Sequence, residues 1–267
     1  MDMVSKIYRP GKITAVIIII NFLFFTSGAV TAFAQCPVKT DFKDEMLPYD
    51  VIYQWGILWK RAAEASLSLE VSPLNYKSVL TARTLSFADA IFPVRDTLIS
   101  VMKRQDMAPL YYAKIANEDG TYRKDEVKYI YNAGNCIGDI TLYRPKRNAV
   151  EHYTAVVENC AYDMLSVFYL IRTIDFAGFK MNQVIETKIF SGKSVEHLKI
   201  EYLGRTILKQ NKKEYNAYKI AFRFSDESGK KVSDNIWAWI SEDAGRIPLR
   251  VEGKLPIGTM RAEYKGR

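Results

Sequence analysis

Histidine and cysteine, two residue types that commonly carry catalysis or bind metals, are scarce in this 267-residue chain, whereas Asp and Glu are plentiful. It contains two histidines, His152 and His197, and neither has Cys, Asp or Glu residues at the spacing typical of metal ligands. Motifs of the Gly-x-Ser-x-Gly, phosphate-loop and His-Glu-x-x-His types are also absent from the sequence. We therefore predict no metal site, no cofactor and no catalytic residues, and we interpret both histidines as residues of strand surfaces or edges.

Cysteine is rare as well, with Cys36, Cys136 and Cys160 as the three instances. In an oxidising compartment, a Cys136–Cys160 bridge would close a loop of about 25 residues and stabilise the fold by about 3 kcal/mol. Two buried thiols are an equally open interpretation, and a bridge from Cys36 is another. A catalytic cysteine is the least favoured interpretation, because the sequence identifies no His or Asn partner for it.

The N-terminal apolar run, Ile13 to Phe25, is shorter than the about 20 apolar residues of a membrane-spanning helix. Basic residues precede it and Ala32-Phe33-Ala34 follows it. We predict a secretory signal peptide at residues 1–34, cleaved after Ala34, and a periplasmic or secreted mature protein. Gln35 stands before Cys36 where lipid modification needs a small residue, so we predict no lipid anchor.

Charge of one sign is not concentrated anywhere in the sequence. The net charge is +8, but the basic residues are interleaved with Asp and Glu. This pattern predicts no nucleic-acid partner. A modest positive charge is typical of a soluble basic protein, and it would also attract anionic lipid head groups or acidic glycans.

Strand-like alternation is abundant, in a chain rich in aromatic residues (Tyr 17, Phe 13 and Trp 4). Residues Tyr49 to Ile57 place alternate apolar side chains on one face, and Ala65 to Val71 repeat the pattern. We predict a hairpin between these strands with Trp59-Lys60-Arg61 in the turn. About a dozen such segments continue to the C-terminus at spacings of about 8–12 residues. We interpret residues 35–48 as a lead-in segment and residues 49–267 as a single all-β domain.

One segment, residues 161–174, has helical spacing instead, with Met164, Leu165, Phe168 and Ile171 on one face. We predict Asn159 as its N-cap and Arg172, near its end, as a residue that interacts with the helix dipole. The predicted fold is mainly β: a curved antiparallel sheet or half-open β-barrel, with this one helix plugging or covering the interior.

Aromatic side chains on one face of two strands, together with the predicted helix, provide the candidate binding site. Such faces either fill a barrel as a packed core or line an apolar cavity, and both interpretations stay open. In a cavity, Arg172 is the best candidate for a charged group near a ligand head. The candidate ligand-binding residues are Tyr53, Trp55, Phe168, Arg172, Trp237 and Trp239.

Four segments resemble a known family: Tyr49–Ile57, Asp96–Ser100, Asp163–Thr173 and Trp239–Glu252. Together they resemble bacterial exported proteins catalogued as domain of unknown function three-one-zero-eight, over nearly all of the predicted mature chain. The resemblance implies no reaction, because none is assigned to that family. Its all-β pattern is similar to that of periplasmic carriers of the lipoprotein-localisation type, whose half-open barrel shelters acyl chains.

These observations predict a periplasmic binding or carrier protein for an apolar or amphipathic ligand of the cell envelope, such as a lipid. The alternative is a structural or interaction protein with a filled barrel, which binds an envelope protein through strand edges and basic turns. A third hypothesis is an envelope enzyme whose carboxylates come from distant strands. An interior cavity below about 300 Å³ would favour the second hypothesis, because ligand pockets are usually larger.

Overall fold

The structure, a computed structural model, describes residues 41–230, 232–255 and 258–266, except for the side chain of Trp55. The predicted signal peptide, its cleavage site, Gln35 and Cys36 lie outside the described residues.

One antiparallel sheet of 14 strands dominates the described chain. Its order is β8-β7-β6-β5-β4-β3-β2-β1-β14-β13-β12-β11-β10-β9, so the first and last strands of the chain are neighbours near its centre. The strands are β1 (Glu45–Trp55), β2 (Leu58–Val71), β3 (Asn75–Thr84), β4 (Val94–Lys103), β5 (Pro109–Glu118), β6 (Thr121–Asn132), β7 (Asn135–Arg144), β8 (Ala149–Glu158), β9 (Val184–Ser191), β10 (Ser194–Gln210), β11 (Lys213–Asp226), β12 (Ile236–Ser241), β13 (Pro248–Lys254) and β14 (Thr259–Tyr264).

The sheet curls until its two edges almost meet. After β8, the Tyr162 N–H donates to the carbonyl of Lys188 over 2.8 Å, and the Phe190 N–H donates to the carbonyl of Tyr162 over 3.1 Å. These bonds join the segment after β8 to β9 and nearly close a barrel, which removes most of the exposed sheet edge. The predicted mainly β, barrel-like fold is confirmed.

The first hairpin turns earlier than predicted. Gly56, with a φ of +57°, and Ile57 connect β1 to β2, and Trp59-Lys60-Arg61 belongs to β2. A glycine takes this left-handed conformation at little cost, which makes it the better turn position. Strand β1 begins at Glu45, inside the segment predicted as a lead-in.

The predicted helix is present but begins later, at Ser166 rather than at Ala161, and ends at Thr173. We call it α2, because a short helix α1 (Ser86–Asp89) precedes it in the β3–β4 connection. The predicted N-cap is wrong: Asn159 has a φ of +64°, and Tyr162 then pairs with β9 in extended form. Two 3₁₀ turns, Pro145–Arg147 and Phe176–Gly178, complete the described helical structure.

The two ends of the barrel differ. Because neighbouring strands are antiparallel, the β1–β2, β3–β4 and β13–β14 connections all lie at one end, which we call the rim end. Glu45, the first residue of β1, lies at the other end, where the side chain of Arg172 at the end of α2 contacts it. We call this the helix end.

The cysteines are in different states. Cys136, in β7, is a free and buried thiol, whereas Cys160 is disulfide-bonded. The Cys136–Cys160 bridge and the pair of free thiols considered from the sequence are therefore both wrong. Burial raises the pKa of the Cys136 thiol, so it is not activated as a nucleophile.

Candidate functional site

An apolar pocket of about 230 Å³ lies inside the barrel, between helix α2 and the inner face of the sheet. Strands β1, β2, β3, β13 and β14 form its walls, because their inward residues alternate with outward polar ones. The lining residues are Tyr49, Val51, Ala65, Leu67, Leu80, Ala82, Leu165, Phe168, Pro248, Val251, Met260 and Ala262.

Helix α2 bounds the pocket from the helix end. Leu165 is buried at 1% exposure, whereas Phe168 is only partly buried and lines the pocket. Met260, at the start of β14 near the rim end, is 44% exposed. The pocket therefore extends from a helical floor towards the rim end of the barrel.

Small side chains leave this space unfilled. Ala65 pairs with Ala82 across β2 and β3, and Ala262 pairs with Val51 across β14 and β1. Larger residues at these three alanine positions would fill the gap between sheet and helix, as the surrounding core does elsewhere. This space is larger than an apolar cavity of about 150 Å³ engineered into another protein, which stays dry and binds benzene.

Asp163 fixes the start of α2. Its Oδ1 accepts hydrogen bonds from the N–H groups of Leu165 and Ser166, both over 2.8 Å, and the Asp163 N–H donates to Ser166 Oγ over 2.8 Å. This reciprocal arrangement is that of a capping box. Ser100 Oγ of β4 donates to Asp163 Oδ2 over 2.8 Å, which ties the helix to the sheet.

Burial raises the pKa of Asp163 to about 6, because desolvation outweighs these hydrogen bonds. The side chain is 0% exposed and both of its oxygens hold the helix in place. A raised carboxyl pKa is one sign of a catalytic acid. Here the group is enclosed and fully used in capping, so it gives the enzyme hypothesis no support.

Arg172 contacts Glu45 rather than the pocket. Its guanidinium pairs with both carboxylate oxygens of Glu45 and donates from Nη2 to the carbonyl of Gly245 over 2.9 Å. The rings of Phe42 and Tyr169 lie 4.8 and 5.4 Å from the guanidinium carbon. The Arg172 side chain is 3% exposed. Its donors are thus occupied within the protein, and it does not line the apolar pocket.

Trp237 and Trp239 share a face of β12, as predicted, but it is the face opposite the barrel core. Ala238 and Ile240, between and beside them, are each 1% exposed within the core. Trp239 instead lies between Lys219 and Arg250 of the neighbouring strands, whose charged groups are 5.2 and 5.6 Å from its ring. Neither tryptophan lines the apolar pocket, although Trp239 is partly buried and packs against a core cluster.

Tyr53, near the end of β1, is not among the residues that line the pocket. Tyr53 packs beside Gly258 in the β13–β14 connection, where an added Cβ would come within 3.1 Å of the Tyr53 hydroxyl. Trp55 ends β1, and its side chain lies outside the described residues. Of the five candidate residues whose side chains the structure describes, Phe168 is the one that lines the pocket.

Sequence reasoning missed the aliphatic and alanine walls of the pocket. The signal was present in the alternation of β2, where Ala65 and Leu67 occupy inward positions between Glu64, Ser66 and Ser68. The sequence instead favours large aromatic residues as candidates for the pocket lining, although small residues are what open a cavity.

A second depression, of about 420 Å³, is formed by β1 to β4 and Lys265, and its lining mixes charged and polar residues with Tyr49, Ala65 and Ala82 of the apolar pocket. Arg83 pairs there with Glu64, and Arg95 pairs with Asp89 over 2.6 Å. Because these charges pair with one another, the depression has no clear preference for a charged ligand.

Two further observations concern metal sites and membrane-spanning helices. Across residues 41–230, 232–255 and 258–266, no group of three or more His, Cys, Asp or Glu side chains is placed to hold a metal ion. Within the same part of the chain, no helix has the length and apolar character needed to span a membrane. His152 and His197 lie on β8 and β10, as strand residues.

Comparison with solved structures places the fold beside another uncharacterised family. A crystal structure from Brucella abortus, described as a beta-barrel-like protein of domain of unknown function DUF1849, superposes with a TM-score of 0.56 and 9% sequence identity. The match covers 84% of this chain and 97% of that one. At this identity the likeness supports the barrel-like fold alone.

Comparison with curated proteins gives no match. The family comparison is positive: residues 48–265 match the sequence profile of DUF3108, described as a protein of unknown function. This range spans β1 to β14 and contains the whole lining of the apolar pocket. The resemblance seen in the sequence is thus confirmed, and the chain belongs to the DUF3108 family.

Proposed function

We propose that the protein binds an apolar or amphipathic ligand of the cell envelope and that the pocket under helix α2 receives its apolar part. The observation that carries this proposal is the space of about 230 Å³, lined almost wholly by aliphatic and aromatic side chains. Apolar ligands gain free energy on entering such a space because their surface leaves water.

The size of the pocket restricts the ligand. It is smaller than the about 300 Å³ at which pockets for drug-sized molecules begin. A single acyl chain segment or one ring system fits this volume better than a two-chain lipid. The polar part of an amphipathic ligand would then lie towards the rim end, near Met260, where the wall is exposed.

Export fits this proposal but rests on the sequence alone. The signal-peptide pattern predicts a location in the periplasm or outside the cell, where apolar molecules need a protein to cross water. Within that setting we propose a carrier or binding role. The small size of the pocket favours one competing hypothesis, a filled barrel that serves as a structural or interaction protein.

Titration with a fluorescent fatty-acid probe tests the pocket directly. Ala82→Leu adds side-chain volume inside it, whereas Ala177→Leu adds the same atoms at an exposed position in the Phe176–Gly178 turn. We expect the wild type and A177L to bind the probe equally and A82L to bind at least about tenfold more weakly, because the filled space no longer admits it.

The competing hypothesis makes the opposite prediction. If the barrel has no ligand, the wild type takes up no probe, and A82L is more stable than the wild type because it fills an empty space. Thermal unfolding of both variants also separates a blocked pocket from a damaged fold.

A further inference from the structure

The rim end of the barrel carries a row of large apolar side chains that face solvent. Ile57 and Leu58, in and beside the β1–β2 turn, are 94% and 67% exposed, and Ile91 in the β3–β4 connection is 74% exposed. Apolar groups of this size, exposed together, usually mark an interaction surface. We call this row the apolar rim; it consists of Ile57, Leu58, Trp59, Phe87, Ile91 and Phe92.

The parts of the apolar rim are held together by cation–π contacts. The Lys60 ammonium lies 3.4 Å from the centre of the Phe87 ring, which joins β2 to α1. The Arg261 guanidinium of β14 lies 4.0 Å from the centre of the Trp59 ring. The rim thus includes side chains of β2 and of the β3–β4 connection at one end of the barrel, and basic groups from β2 and β14 lie over its aromatic rings.

Several acidic groups near the apolar rim are paired with arginines. Glu64 pairs with Arg61 over 3.0 Å and with Arg83, and Asp89 pairs with Arg95 over 2.6 Å. Arg61 also pairs with Asp50 over 2.5 Å, so these three arginines and three carboxylates balance one another.

Lys60 and Lys254 add positive charge to this surface. Lys60 and Arg261 lie over rim aromatics, Lys254 is exposed at the end of β13, and Arg261 also pairs with Glu263 over 3.0 Å. Long basic side chains beside exposed aromatic and aliphatic groups match an anionic membrane surface, where the apolar groups enter the interface and the cations meet the phosphates.

We propose that the rim end docks on an anionic lipid membrane, with the side chains of the β1–β2 turn and the β3–β4 connection inserted among the head groups. A membrane explains the combination better than a protein partner, because interface cores on proteins are usually poor in lysine. The proposal goes beyond ligand binding and does not depend on it. If both hold, the docked barrel turns the exposed side of its pocket, at Met260, towards the bilayer.

Vesicle flotation tests the docking. The purified protein is mixed with vesicles of phosphatidylcholine containing phosphatidylglycerol, or of phosphatidylcholine alone, at low and high salt. The test variant is Ile57→Ser with Leu58→Ser. The control variant is Met46→Ser with Leu74→Ser, which removes equally exposed apolar groups (68% and 78%) at the helix end.

We expect the wild type and the control variant to float with the anionic vesicles, with binding weakened by salt and by removal of phosphatidylglycerol. The rim variant should bind at least about tenfold more weakly, because two apolar side chains no longer leave water. Both variants share the same N-terminus, so any contribution of that segment cancels in the comparison.

Three outcomes would overturn the proposal. The wild type does not float with anionic vesicles, the rim and control variants float equally, or the rim variant loses a protein partner while vesicle binding is absent throughout. The pocket variant A82L should float like the wild type, so a failure of ligand binding and a failure of docking remain distinguishable.

Discussion

Arg172 and Glu45 form a buried two-point ion pair although 127 residues separate them in the chain. The side chains are 3% and 10% exposed, and the guanidinium also holds the carbonyl of Gly245 over 2.9 Å. The pair joins the end of helix α2 to the first residue of β1 and to the β12–β13 connection. It thus fixes the helix that forms the floor of the pocket.

Arg172→Ala should therefore lower the free energy of unfolding by about 3–5 kcal/mol, because it leaves the Glu45 carboxylate buried without its partner. This exceeds the about 1 kcal/mol expected of a residue that only pairs with the helix dipole. Denaturant unfolding measures the difference.

The double variant Arg172→Met with Glu45→Leu provides the control. It removes both charges, so it should recover much of the lost stability. If Arg172→Ala alone costs less than about 1 kcal/mol, the ion pair has no structural role and the dipole interpretation stands.

Asp163 predicts a pH dependence of stability. Its pKa is about 6 in the folded protein and 3.8 as the reference value, so the folded state holds the proton more tightly than the unfolded state does. The contribution of Asp163 to the free energy of unfolding should therefore be fully present below about pH 4 and be lost as the pH rises through about 6, a loss of about 3 kcal/mol.

Asp163→Asn isolates that contribution, because asparagine keeps the helix cap without a titrating proton. The difference in unfolding free energy between wild type and D163N should change between about pH 4 and pH 6 and be constant above it. A difference that is flat across this range would show that Asp163 has an ordinary pKa.

Leu165, directly before helix α2, and Phe168 within it should differ in their contribution to stability. Leu165 is 1% exposed, so Leu165→Ala should cost about 2–5 kcal/mol in unfolding free energy. Phe168 is partly exposed beside an existing space, so Phe168→Ala should cost less than the about 3–5 kcal/mol of an enclosed ring. If chemical denaturation shows that both variants lose the same unfolding free energy, the pocket is closed around Phe168.

Cysteine labelling checks the thiol assignment. Cys136 is free and buried, and Cys160 is disulfide-bonded. Iodoacetamide should therefore label the folded protein slowly, label Cys136 after unfolding without a reductant, and label Cys160 only after reduction. Peptide mass spectrometry reads out all three conditions, and labelling of Cys160 without reduction would contradict the assignment.

Sequence patterns predicted the strands well and the contacts between distant strands poorly. The alternation of apolar and polar residues in β2 is a local pattern, so the sequence predicts this strand. The hairpin turn was placed too late because Gly56, and not the polar run after it, provides the left-handed conformation. Helix α2 begins late because Tyr162 first pairs with β9, a long-range contact without a local signal.

In the candidate site, too, the sequence predicts local patterns but not contacts between distant segments. Helical spacing placed Phe168 on the face that lines the pocket. The sequence correctly predicts that Trp237 and Trp239 share a face of β12. It does not show which face of this strand is buried, because the alternating residues Ala238 and Ile240 are apolar as well. The partner of Arg172 could not be predicted, since nothing near Glu45 marks it as an ion-pair residue.

Native mass spectrometry of the protein purified from an envelope extract tests the central claim, that the pocket holds an apolar molecule, most directly. We predict that the wild type and A177L carry an additional mass that organic solvent removes, and that A82L does not. An unliganded mass for all three proteins, together with no uptake of the fatty-acid probe, would contradict the claim and favour a filled barrel.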